Sequence, residues 1–166
     1  MNTGLLITFE ILLVVVRLSK ILFTGTIAGL VMGIALFLTG AIAAFFVYGP
    51  QMAPEGKFEP SQMNPIYFIW TKLLIGWFFG LLFTFIYAKI QTLLPSKGFF
   101  RALIFALVLW AVICLWGISH PFVYETIATR NQLFWHIYSL GGFLGYGAAL
   151  GLLVRRADQP NQTAPA

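Results

Sequence analysis

The chain has 166 residues, of which 60% are hydrophobic and only 9% charged, where a soluble domain carries about 25% charged residues; this excludes a water-soluble domain and indicates an integral membrane protein. Its net charge of +5 does not indicate a nucleic-acid partner, because the basic residues stand at the ends of apolar runs, where membrane orientation requires them. The single cysteine, Cys114, excludes an internal disulfide and a multi-cysteine metal site.

Residues 1–20 form the first predicted element. Leu5 to Val16 is apolar except for Thr8 and Glu10, and Arg17 and Lys20 close the run. Thr3, Glu10 and Arg17 are seven apart and fall on one narrow stripe of a helix. A dozen residues around a glutamate are too few to cross a bilayer. The pattern predicts an N-terminal interfacial amphipathic helix on the cytoplasmic surface, in preference to a short fifth span. A signal peptide is not expected, because the charge follows the apolar stretch instead of preceding it.

The first span is predicted from Ile21 to Tyr48, 28 uncharged residues or roughly 42 Å of helix. Gly25, Gly29 and Gly33 are each four apart and line one stripe, and Gly40 follows in the same run. Each glycine costs about 1 kcal/mol of helix propensity against alanine. In a bilayer, small residues let a second helix approach closely, which is a main source of helix association there. Gly49-Pro50 stops the span, and residues 49–64, with three prolines, read as an extended polar loop.

Asn64 and Pro65 then supply an N-cap and a first helical proline for the second span, 65–94. It carries Gly76 and Gly80, another small-residue stripe. Pro95 to Gly98 reads as a tight turn, and a third span runs over 99–119, ended by His120-Pro121. A fourth is predicted over 132–154, with Asn131 as its cap and a polar tail, 157–166, behind it. Gly141, Gly145, Gly147 and Gly151 give it two pairs at four-residue spacing on different faces, so it is expected to pack on two neighbours.

Arg17, Lys20, Lys89, Lys97, Arg101, Arg155 and Arg156 collect on one side of this topology, against Lys57, Lys72 and Arg130 on the other. Seven against three places the first side, and both termini, in the cytoplasm. Trp70, Trp116, Trp135, Tyr67 and Tyr138 crowd the outer interface, as an aromatic belt does.

Residues able to carry chemistry are few. His120 and His136 are the only histidines, both placed near the outer interface. Imidazole ligation of a haem or of a bacteriochlorophyll-type pigment is the sharper reading of them, and two interfacial histidines satisfied by water and headgroups is the plainer one. Met52 and Met63 lack the cysteine or histidine cluster that copper(I) would need. Lys72 sits two turns into the second span and is expected to snorkel outward. Ser139 follows His136 by three residues, but no acid is placed to orient such a pair, so a hydrolase is not expected.

From Thr24 onward the chain resembles an uncharacterised family of small four-span bacterial integral membrane proteins. The resemblance rests on the glycine-striped first span, on Ile86-Tyr-Ala-Lys-Ile-Gln-Thr-Leu-Leu-Pro95, and on Gly98-Phe-Phe-Arg-Ala-Leu-Ile-Phe-Ala106. It implies a four-span architecture and transfers no catalytic residue.

The expected fold is therefore an all-α four-helix transmembrane bundle behind an N-terminal interfacial helix. The expected role is non-enzymatic: an accessory or structural subunit of a larger membrane complex, bioenergetic complexes among them, in the bacterial cytoplasmic membrane. Its partners are the lipid bilayer and other membrane-protein subunits, without nucleic acid, metal or cofactor. The alternatives are a haem- or pigment-binding protein using His120 or His136, and a small passive permease.

Overall fold

A computed structural model describes the backbone of residues 3–48, 65–123 and 129–157, and the side chains of 15–47, 66–115 and 132–154. The described residues form four helices: α1 (Thr3–Tyr48), α2 (Pro65–Ile90), α3 (Gly98–Val123) and α4 (Thr129–Ala157). Each contains a stretch long and apolar enough to cross a membrane. The loop 49–64 with Met52 and Met63, and the tail from 158 on, lie outside the described residues.

Several helix boundaries differ from the expected span boundaries. The first element and the first span are one uninterrupted helix of 46 residues. Residues 17–20 contain neither glycine nor proline, so nothing interrupts the backbone ladder there. At the other end of the second span, α2 stops at Ile90 instead of Leu94. Pro95 has no N–H, and its ring would collide with the carbonyl of Gln91, so the last turn unwinds ahead of it.

The third helix does not end at His120-Pro121 but continues to Val123. A proline this close to the helix end removes one backbone hydrogen bond in a turn that is already weakly held. Likewise α4 begins at Thr129, which puts Asn131 inside its first turn and not at its cap.

α1 packs along both α2 and α4, and α3 packs on α4. Between α2 and the α3–α4 pair the space is filled by rings. Tyr87 meets Phe105 at 5.3 Å between centroids, and Phe83 meets Phe143 at 5.7 Å and Tyr146 at 6.0 Å. Aromatic pairs at such separations add to the contact their area already provides. Tyr146, Phe105 and Leu150 are the largest fully buried side chains, and Thr84 is the one buried polar residue among those described. Its hydroxyl shares a 3.0 Å hydrogen bond with the Tyr146 hydroxyl, joining α2 to α4 inside the core.

The turn between α2 and α3 carries two left-handed residues, Ser96 at φ 81° and Gly98 at φ 56°. Arg101, in the first turn of α3, reaches back and donates from Nε and Nη2 to the Ser96 carbonyl at 3.0 and 2.8 Å.

Candidate functional site

Two groups of residues stand out: the seams at which the helices touch, and a set of polar side chains at the end of the bundle that carries Tyr48.

On α1, a Cβ built on Gly25, Gly29 or Gly33 would come 3.1, 2.9 and 2.9 Å from the Cα atoms of Leu81, Trp77 and Leu73 respectively. Four residues forward on α1 are thus four residues back on α2, an antiparallel pairing of constant register. The same test at Gly76 meets the Gly29 carbonyl at 2.5 Å, and at Gly80 it runs into Gly29 itself. A side chain at Gly29, Gly33, Gly76 or Gly80 would press into the neighbour's backbone, so the close approach there needs glycine, while Gly25 is tight but less so. Trp77 closes the seam by donating from its indole to the Thr26 hydroxyl at 3.3 Å.

The seam between α1 and α4 uses Gly40, which faces the Tyr138 ring, and Gly141 and Gly145, which face Thr39 and Ala35. Gly142, facing Leu36, also belongs to it, although it lies outside the four-residue pattern. Thr39 crosses the seam: its hydroxyl stands 2.6 Å from its own Ala35 carbonyl and 3.0 Å from the Tyr138 carbonyl. On its other face α4 brings Gly147 against Ala106 and Leu103, and Gly151 against Phe99.

At the Tyr48 end, α3 and α4 share a polar set. The Trp110 indole donates to the Ser139 hydroxyl at 3.2 Å and leans on the His136 carbonyl at 3.4 Å. Ser139 itself points back to the Trp135 carbonyl at 2.7 Å, and the Cys114 thiol lies beside it. The Ser139 hydroxyl is thus engaged with backbone and indole and is not offered to a base. His136 Nδ1 lies 2.6 Å from the Gln132 carbonyl. A carbonyl can only accept, so Nδ1 carries a proton, and in the neutral ring that tautomer leaves the lone pair on Nε2. The Gln132 amide nitrogen is buried without an acceptor.

His120 lies in α3, but its side chain is not among those described. The α3–α4 register, Phe99 opposite Gly151 and Leu103 opposite Gly147, carries its Cα level with Arg130. That is six residues, or about 9 Å along the axis, from His136. The two histidines therefore sit on adjacent helices without standing opposite one another.

Lys72 is the charged side chain described at this end. Its ammonium lies 5.0 Å from the centroid of Phe68 and 4.8 Å from that of Tyr138. No group of three or more His, Cys, Asp or Glu side chains is arranged to hold a metal among the described residues. Comparison with protein-family models, with curated proteins and with solved structures found no match to the chain.

Proposed function

We propose that the chain is a non-enzymatic multi-pass membrane protein serving as an accessory subunit of a larger membrane complex. It sits in the bacterial cytoplasmic membrane with both termini inside, as the seven-to-three distribution of basic residues favours. The observation that carries this reading is the length of α1. Its 46 residues make about 69 Å of helix, more than twice the roughly 30 Å of hydrocarbon.

The register along the first seam brings Ile90, the last residue of α2, level with Val16. Thr3–Val15 thus continues about 20 Å beyond the helix that accompanies the rest of α1. This overhang holds Leu5, Leu6, Ile7, Phe9, Ile11, Leu12 and Leu13 around a single acid, Glu10. A helix apolar nearly all round is built to be covered, by lipid or by other helices. Its polar stripe is narrow for a surface helix, which normally carries a broad, basic polar face. A neighbouring subunit suits it better.

Extraction of native membranes in a mild detergent, followed by native sizing, tests the proposal. The expected particle contains other proteins besides this 18.5 kDa chain. A stable particle of one chain alone refutes the subunit reading.

A second reading is favoured by the tautomer of His136. A ligating imidazole commonly donates its other N–H to a backbone carbonyl, as His136 does to Gln132. A haem or bacteriochlorophyll-type ring on His136 Nε2 would give the purified protein a Soret or Qy band, lost in His136→Ala. A spectrum with protein absorption alone removes this reading.

A further inference from the structure

We propose that Lys72 holds the phosphate of an anionic lipid, in the leaflet at the Tyr48 end of the bundle. The inference rests on the chain crossing the bilayer, and on three observations about where the lysine begins and where its charge ends.

The first is depth. A Cβ on Gly33 would lie 2.8 Å from the Lys72 carbonyl oxygen, which places the lysine backbone level with the middle of the uncharged run Ile21 to Tyr48 of α1. An ammonium left at that depth would be in hydrocarbon, where charges persist only with a partner or a path to the interface.

The second is direction. The ammonium lies over Phe68, one turn nearer the start of α2, and over Tyr138 of α4. Tyr138 packs on Gly40, seven residues beyond Gly33 and about 10 Å further along α1. The lysine stem thus runs toward the Tyr48 end, and its charge emerges there. Exposed Tyr67, Trp70 and Trp135 occupy the same end, the placement of aromatic residues at the headgroup level.

The third is what surrounds the charge. Two ring faces stabilise it electrostatically but accept none of its three N–H bonds in the ordinary sense. All five acidic residues lie outside the described side chains, and no described residue accepts a hydrogen bond from Lys72. The residue is only half-buried, so the bundle does not enclose it and leaves room for a partner from outside. A phosphate diester is the anionic acceptor found at that depth. A lysine recognises it as a point charge, so the expected preference is for net-negative phospholipids over zwitterionic ones.

The test is reconstitution of the full chain in nanodiscs of phosphatidylcholine with a minor fraction of phosphatidylglycerol, followed by gentle extraction and measurement of the lipids retained. Phosphatidylglycerol should be enriched about threefold over its bulk fraction, the range of a partly exposed ion pair. Lys72→Met and Lys72→Gln should remove the enrichment, and Lys72→Arg should keep it. Millimolar inorganic phosphate should not compete; if it does, the site reads a free anion and the lipid assignment falls. Enrichment that survives Lys72→Met overturns the proposal. Enrichment that appears only in the Glu55→Gln/Glu59→Gln variant also overturns it, because the chain's own loop would then be the counter-ion. A chain that fails to enter nanodiscs at all counts against the membrane reading instead.

Discussion

Thr84 and Tyr146 illustrate how a single pair of atoms is constrained in this core. Each hydroxyl is the partner of the other at 3.0 Å, and Thr84 is only 3% exposed. Thr84→Val keeps the shape and strands the Tyr146 hydroxyl, a loss of about 1–3 kcal/mol for a buried unsatisfied group. Tyr146→Phe should cost less, and the double variant should recover most of the loss, a pattern that a double-mutant cycle by thermal unfolding in detergent reads directly. Equal, additive losses would mean that the hydroxyls find other partners. Ser96 is the opposite case, a residue whose own backbone is uncomfortable. At φ 81° its Cβ crowds the following carbonyl, at a cost of about 1 kcal/mol. Ser96→Gly should therefore raise stability by about that amount, with the Arg101 contacts to the 96 carbonyl intact. No increase in melting temperature would argue that the turn is not strained. Neither residue could have been singled out beforehand, since threonine and serine at such places have no distinguishing sequence pattern.

Helices are where sequence and structure can be compared most closely. The apolar runs and the turn at Pro95 to Gly98 were enough to expect four long helices, and four are present among the described residues. What was not legible was continuity. The charges at Arg17 and Lys20 suggested a boundary, but charge alone does not break a helix, and α1 runs through them. Pro121 misled in the other direction: α3 continues two residues past it to Val123, at the loss of one backbone hydrogen bond. Glycine spacing was visible in the sequence, whereas the helix facing each stripe was not, because spacing carries no information about a partner. The seam geometry gives a graded prediction. Gly80→Ala would place a methyl on Gly29 and force α1 and α2 apart, at about 1–3 kcal/mol by overpacking. Gly29→Leu should be worse. Gly147→Ala, which meets the Ala106 methyl at 2.7 Å, should fall between neutral and Gly80→Ala. Thermal unfolding in detergent checks the order, and an unchanged Gly80→Ala would show that the first seam is looser than its geometry.

At the scale of the whole molecule, the four helices make a bundle that leaves much of itself uncovered. Only 17% of the candidate span in α3 is buried within the bundle, against 39% in α4, so α3 contributes the barest face and α4 serves as the hub between α1 and α3. A bilayer covers such faces without help, and they alone do not require a partner. The overhang of α1 is the part on which the proposed partner rests, because by the register with α2 it extends past that helix. The most direct measurement of the central claim is photo-crosslinking in native membranes, from a benzophenone amino acid placed at Leu12. The account predicts a discrete protein–protein adduct migrating above the 18.5 kDa chain, and none from the same probe at Phe78, an exposed residue of α2. Labelling of lipid alone from Leu12 would contradict it, and would leave the overhang as a membrane-embedded extension of a self-sufficient bundle.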